Sequence, residues 1–317
     1  SIPGLAEARP WTSREATSAR AVPRRLLVMG GGAVGAELAQ AWRRLGAAEV
    51  AVVEAAPGLL PSEEPFAGAE VAEAFGQEGI AVHTGRKVTS VRRAGAGRPV
   101  EARLDDGKAI IADELLVAVG RRPAVADLGL ESVGVEASHG VAVDDRMRAV
   151  GAEQWLFAIG DVNARAPFTH MAKYQARLAA DVILGRVGPP EAHSPGLPVP
   201  RVTFTDPQVA AVGLTRRRAM EQGLELGVRR VPLEGVAAAA VHGQGTRGTA
   251  QLVIEHDRGL IVGATFTGPE VGELLHAATI AIVGGVPLAT LARAVPAFPT
   301  LSEIWLQLLE AEDEENP

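Results

Sequence analysis

The stretch Arg25–Glu54 constrains the fold more tightly than any other part of this 317-residue chain. Arg25–Met29 is short and mostly apolar, as a buried strand is, and Gly30-Gly31-Gly32-Ala33-Val34-Gly35 follows it directly. Ala36–Leu45 then places Leu38, Ala39, Ala41, Trp42 and Leu45 at helical spacing, and Glu49–Val53 is a second apolar run that ends on Glu54. Strand, glycine turn, helix, strand and acid in this order form a dinucleotide-binding fingerprint in its full context. Gly30 permits the tight turn, Gly32 lets the backbone approach a pyrophosphate, and Gly35 lets the helix pack close to the sheet. With Ala33 and Val34 between them, these glycines are the candidate phosphate cradle at a helix N-terminus that carries unpaired N–H groups. Glu54 lies nineteen positions after Gly35, where a carboxylate accepts hydrogen bonds from the adenine ribose hydroxyls and repels a 2′-phosphate. No basic residue follows in Ala55-Ala56-Pro57, so the expected cofactor is NAD(H), with NADH preferred.

The length and the 47% hydrophobic content allow two or three domains with real cores. A net charge of −7 without a basic block argues against nucleic acid as a partner, and the acids of Glu310–Glu315 read as a solvated tail. No apolar run is long enough for a bilayer; Ala277–Val286 is interrupted by Gly284 and Gly285. The sequence leads us to expect no signal peptide, and a cytoplasmic setting fits. The absence of cysteine excludes disulfides and thiol chemistry within this chain. The histidines His83, His139, His193, His242, His256 and His276 show no ligand spacing, so no metal is expected. The chain opens Ser1-Ile2-Pro3-Gly4-Leu5, without Met, and reads as a cut from something larger.

Residues 1–24 read as a lead-in with one short helix, started by the capping-box spacing of Thr12-Ser13-Arg14-Glu15. A nucleotide domain is expected over 25–122. It should contain a helix over Glu63–Glu78, a strand over Gly79–Thr84, an antiparallel meander (Val88–Arg93, Val100–Leu104, Ala109–Ile111) and a strand over Glu114–Val119. A second region over 123–197 should hold a strand, Trp155–Ile159, ending at Gly160-Asp161, then a helix, Met171–Leu184, and a Gly/Pro-rich linker, Gly185–Pro198. The third region, 198–317, carries strands at Val202–Thr205, Ala250–Glu255 and Gly259–Phe266, and helices at Gly272–Val283 and Ser302–Leu309. This segregation predicts an α+β domain behind a Rossmann-like α/β one. Leu274, Leu275, Ala278 and Ile282 form an apolar stripe that suits a core helix, a dimer surface, or both.

Taken in order, these landmarks resemble the FAD-dependent pyridine nucleotide–disulfide oxidoreductases, the family of dihydrolipoamide dehydrogenase and mercuric reductase, over nearly the whole chain. Ile2-Pro3-Gly4 resembles the exit from that family's FAD domain. Gly30–Gly35 with Glu37 resembles its NAD(H) motif, and Gly120-Arg121-Arg122-Pro123 the motif closing the NAD domain, with Ala124 where Asn is usual. Ala158-Ile159-Gly160-Asp161 resembles the second FAD motif, whose aspartate binds the ribityl and ribose side. Phe168-Thr169-His170-Met171-Ala172 resembles the segment that meets the flavin ring, and Pro207–Gly213 the start of the dimerisation domain. The resemblance implies hydride transfer from NADH to FAD and onward to an acceptor. It also implies a homodimer built on residues from about Pro200 onward, with the segment matching Ala297–Pro299 reaching toward the other subunit's flavin.

Two departures qualify these expectations. The family's N-terminal half-domain, with its own glycine turn and redox cysteines, has no counterpart here, so FAD is expected to bind this chain weakly or not at all. The family's His-Pro-Thr-x-x-Glu stands here as Phe298-Pro299-Thr300-Leu301-Ser302-Glu303. Phe298 cannot act as a general base, and with it in place Glu303, the weak catalytic candidate, reads rather as an acid at the start of the last helix. The expected acceptor is a quinone or dye-like small molecule rather than a dithiol. The alternative is a non-catalytic, dimerising NAD-binding module or an inactive fragment. Glu37 reads both as a first-turn helix residue and as a neighbour of the nicotinamide. Arg121 reads as solvated or as a contact to cofactor phosphate or ribose.

Overall fold

The computed structural model describes residues 2–95, 97–152, 154–186, 197–243 and 246–314. Ser1, His193, most of the linker predicted over Gly185–Pro198 and the last tail acid, Glu315, lie outside them. Ser1–Val119 and Pro200–Pro317 cluster into one compact unit, and Gly120–Val199 into a second.

In the first unit a parallel sheet forms from β1 (Arg25–Met29), β2 (Glu49–Glu54), β3 (Ile80–Thr84) and β7 (Glu114–Val117), in the order β3-β2-β1-β7. Its residues alternate between two covered faces, as the two-residue strand period requires. Leu26, Val28, Val50 and Val52 pack with Ala36, Ala39 and Trp42 of α2 (Ala33–Arg44) and Val71 and Phe75 of α3 (Pro65–Gln77). Leu27, Met29, Val53 and Leu115 pack on the opposite side, against the predicted meander, β4 (Val88–Arg93), β5 (Val100–Leu104) and β6 (Ala109–Ala112). The lead-in is part of this unit. Ile2 and Leu5 pack under the meander, and Trp11 bridges Leu116 at the outer edge of β7. The capping box closes α1 (Ser13–Ser18), with the Thr12 N–H donating to Glu15 Oε2 at 2.8 Å and the Arg14 N–H to Thr12 Oγ1 at 3.3 Å.

An ion pair fixes where β1 begins. Asp113 accepts from the Arg25 backbone N–H at 2.9 Å and from its guanidinium at 2.7 Å. The side-chain hydrogen bond from Arg25, followed by its backbone bond and charge, holds the Asp113 carboxyl below the usual carboxylate range. A depressed carboxyl pKa stabilises the fold above the unfolded value of about 4, and that contribution is lost as pH falls through the native value. Asp113→Asn is therefore expected to lower the urea midpoint at pH 7, with the gap to wild type closing as pH drops below about 4. A gap that persists unchanged at pH 2 contradicts this.

The remainder of this unit is a five-stranded antiparallel sheet, order β10-β11-β12-β9-β8, made of β8 (Arg201–Thr203), β9 (Gln208–Gly213), β10 (Leu226–Pro232), β11 (Thr249–Glu255) and β12 (Leu260–Gly268). α6 (Leu275–Val283) and α8 (Ile304–Glu310) cover one face, where Leu252, Ile254 and Phe266 meet Leu275, Ala278, Ile304 and Leu308. β9, β10 and the short α5 (Arg216–Glu221) are additions to the elements expected from sequence. The α6 stripe is resolved on the core side: Leu274, Leu275 and Ala278 are buried and Ile282 packs against the same cluster. Ile280 and Val283, on the other side of the helix, are 57% exposed.

The second unit departs from expectation at Trp155–Ile159. No strand forms there; Phe157 makes a single bridge to Arg148 and Trp155 is exposed in a turn. A strand needs a neighbour for its alternate N–H and C=O groups, and the described residues of this unit supply none beyond isolated bridges. The predicted helix is present as α4 (Thr169–Ile183), and Leu178, Ala179 and Val182 pack it onto Val135, Val141, Val143 and Met147. No helix is long and apolar enough to cross a membrane among the described residues.

A candidate dinucleotide site and a second glycine turn

The glycine turn at the end of β1 separates structural demands from ligand demands. Gly30 has φ +103°, and a Cβ there would lie 2.5 Å from the Ala118 carbonyl oxygen. A Cβ on Gly35 would lie 1.9 Å from the Gly30 carbonyl oxygen, so the start of α2 sits directly on the turn. Both are needed by the fold itself. Gly32 is different: it is the N-cap of α2 with extended backbone (φ −71°, ψ −176°), and an added Cβ meets no atom within 4 Å. No neighbouring atom of the protein requires glycine at 32, and the backbone there is open to a close approach from outside. Ala33 is exposed and Val34 half-buried at this helix start, which has no side-chain cap.

Glu54 is held beside this turn through both oxygens. Oε2 accepts from the Gly31 N–H at 2.6 Å and Oε1 from the Ala56 N–H at 2.7 Å. A carboxylate has about four acceptor positions, so two remain for an incoming hydroxyl pair. The segment after Glu54 folds back, with the Leu60 N–H donating to the Gly31 carbonyl at 2.9 Å.

Glu37, one turn along α2, accepts from the Phe204 backbone N–H at 2.8 Å. Gln40 follows three residues later. It is buried and exchanges two hydrogen bonds with the Asp206 backbone, at 2.9 and 2.8 Å. Arg44 then reaches the Asp206 carboxylate at 2.7 Å. This polar stripe joins the helix of the glycine turn to the antiparallel sheet, a role that sequence reasoning missed because such a stripe looks like a solvent face.

In the second unit, Gly160 has φ +73° and opens a tight helical turn, Gly160–Asn163. Two buried polar residues that sequence reasoning missed, Gln175 and Asn163, hold it. The Gly160 N–H donates to Gln175 Oε1 at 2.7 Å, and Asn163 Nδ2 donates to the same oxygen at 2.9 Å and to the Ala158 carbonyl at 3.1 Å. A Cβ on Gly160 would lie 3.1 Å from that of Ala172. The turn presents Asp161 to solvent, with Arg121 at 3.8 Å as a loose partner. At the start of α4, Thr169 and His170 are exposed and Met171 is buried, and the His170 ring stacks on Phe168 at 5.3 Å. Gly120 has φ +125° and is exposed. A fixed turn with an exposed, loosely paired carboxylate fits one side of a flavin–ribityl site.

Phe298 is 76% exposed. Glu303 is engaged in a capping box, its Oε1 accepting from the Thr300 N–H at 3.0 Å. Among the described residues no group of three or more His, Asp or Glu is placed to hold a metal ion.

A Rossmann-type parallel sheet with its glycine turn, followed by a five-stranded antiparallel α+β sheet, defines the class of this protein. The chain belongs to the pyridine nucleotide-disulphide oxidoreductase family, whose model matches residues 1–176, and the family's dimerisation domain matches residues 199–309. It is 34% identical over 306 residues to a dihydrolipoyl dehydrogenase of Thermus scotoductus, covering 95% of this chain and 65% of that protein. It is 35% identical over 305 residues to a mercuric reductase of Streptomyces lividans, covering 95% of this chain and 63% of that protein. The chain thus spans a little under two thirds of the length of these curated relatives. Among solved structures, the HOCl-induced flavoprotein disulfide reductase RclA from Escherichia coli superposes with a TM-score of 0.85 at 25% identity, covering 97% of this chain and 69% of that one. LpdA from Mycobacterium tuberculosis superposes with a TM-score of 0.84 at 26% identity, covering 96% and 66%.

Proposed function

We propose that this chain is the NADH-binding, partial FAD-binding and dimer-forming portion of an NADH-dependent flavin oxidoreductase. The observation that carries the reading is the turn at Gly31–Gly32, where a glycine without any role in packing stands beside a carboxylate oriented by two backbone N–H groups. Gly30, Gly32, Ala33, Val34 and Gly35 hold the pyrophosphate, and Glu54 accepts from the adenine ribose. Glu37 stands toward the nicotinamide, and Gly120 and Arg121 toward cofactor phosphate or ribose. Gly160 and Asp161, with Thr169, His170, Met171 and Ala172, supply one side of the FAD site. Bound FAD would supply the chemistry of hydride acceptance and onward electron transfer. The chain's own part is to bind and orient the two cofactors.

Glu54 repels a 2′-phosphate, so NADH is expected to bind more tightly than NADPH. Fluorescence titration of both against the purified chain tests this, and equal or tighter NADPH binding refutes it. FAD is expected to be weak or absent, because the residues assigned to it cover one side of the cofactor only. Purification with stoichiometric flavin absorbance contradicts that expectation. Phe298 supplies no titrating group to a thiol, which points to a quinone or dye-like acceptor that takes electrons from the flavin directly. We assign Glu303 to helix capping rather than to proton transfer.

Phe298, together with the absence of cysteine from the chain, also favours a second reading, a dimerising NAD-binding module without turnover of its own. NADH-driven dye reduction with added FAD separates the two: turnover supports the enzyme, and none at saturating cofactors supports the module.

A further inference from the structure

The segment after Glu54 offers no basic side chain, yet the fold brings one to the same edge from the next strand. β2 and β3 run parallel with Glu54 opposite Thr84. Gly85 and Arg86 therefore leave β3 at the carboxyl edge where Glu54 ends β2, the edge at which open parallel sheets take ligands. Two backbone bonds tie this exit to the acid's own segment: the Gly85 N–H donates to the Ala56 carbonyl at 2.8 Å and the Arg86 N–H to the Glu54 carbonyl at 3.0 Å. Gly85, with φ +63°, makes the turn that this tie requires. Neighbouring strands lie about 4.8 Å apart, so the Arg86 backbone leaves β3 one strand spacing from the backbone of Glu54.

The guanidinium is available. Arg86 is 47% exposed at its side chain and meets Asp106 at 3.4 Å, an exposed pairing of small strength. Asp106 keeps other partners when Arg86 leaves, accepting from the Lys108 N–H at 3.0 Å with the Lys108 ammonium at 3.8 Å. No buried charge is stranded by the movement.

We infer that Arg86 swings from Asp106 onto the adenine face of bound NADH and positions the adenosine end of the cofactor, an inference that rests on the NADH site proposed above. A guanidinium is planar, weakly hydrated and permanently charged, and it stacks on aromatic faces in a way that an ammonium does not. With Glu54 on the ribose and Arg86 on the base, the adenosine is gripped from two adjacent strands. Glu54 already disfavours charge at the 2′ position, so the base, not a 2′-phosphate, is the group that Arg86 meets.

Calorimetric titration of the full 317-residue chain with ADP-ribose, NADH and NADPH, in wild type, Arg86→Ala and Arg86→Lys, tests this. Arg86→Ala should weaken ADP-ribose and NADH by the same factor, about tenfold, because the nicotinamide half is not involved. The thermal midpoint should not move, which separates positioning from a structural role. Arg86→Lys should fail to restore affinity. Wild-type affinity in Arg86→Ala, full rescue by Lys, or a loss confined to NADPH each overturns the inference while leaving the NADH site standing. A wild-type chain that binds neither ADP-ribose nor NADH overturns the proposed function and the role of Arg86 together.

Discussion

Gly32→Val is expected to abolish NADH binding and leave the fold intact. The backbone at 32 is extended, a conformation valine adopts readily, and the added Cβ would enter open space. The cost to stability is that of a poor N-cap, about 1 kcal/mol. The same Cβ stands where the pyrophosphate must approach the chain, so affinity should fall by on the order of 100-fold or more. Gly35→Val is the informative contrast. Its Cβ would lie 1.9 Å from the Gly30 carbonyl oxygen, so the protein should be destabilised before any question of binding arises. Paired measurement of NADH titration and thermal denaturation checks both variants. A Gly32→Val protein that binds like wild type removes the cradle from the site.

The second large effect concerns assembly, where the buried and exposed sides of α6 make opposite predictions. A homodimer through the matched dimerisation domain is the proposed state. Leu275 is only 3% exposed and packs in the core with Ala278 and Phe266, so Leu275→Arg buries an unpaired guanidinium. The expected cost, on the order of 3–5 kcal/mol, unfolds the antiparallel sheet rather than parting two intact subunits. Ile280 and Val283 are the outward residues of the same helix, and with Val295 and Phe298, 83% and 76% exposed, they leave apolar surface open to a partner. Ile280→Arg should therefore give folded monomers. Sedimentation combined with circular dichroism distinguishes the outcomes. A folded Leu275→Arg monomer, or an Ile280→Arg protein that still sediments as a dimer, sinks the corresponding claim.

The parts of the fold that were legible in the sequence are those where local chemistry and period agree. Gly30 to Glu54 reads correctly as strand, turn, helix and strand because Gly30 and Gly35 each have a distinct local cause and both strands have apolar interiors. The meander reads correctly because turn residues at Gly95–Gly97 and Asp105–Gly107 separate alternating runs. β10 was hidden because Arg229 and Arg230 interrupt its apolar pattern; their charges are met only in three dimensions, by Asp313 and Glu314. Trp155–Ile159 misled for the converse reason, a strand-like composition without a neighbouring strand to pair with among the described residues. In the candidate site, Glu54 and the glycines were visible. Gln175, Asn163 and Arg86 were not, since each acts through a partner distant in sequence or on another strand.

The stripe Glu37, Gln40 and Arg44 gives α2 a consequence beyond the cofactor. The helix that starts at the glycine turn grips residues 204–206 with its second and third turns, and Arg201 adds a bidentate pair to Glu63 at 2.6 and 2.8 Å. α2 cannot fray without releasing the entry to β9. Any nucleotide that binds only the folded helix shifts the folding balance of the whole unit by mass action. If the proposed NADH site is occupied, protease resistance of the antiparallel sheet is expected to rise with NADH concentration, although the nucleotide touches none of its strands.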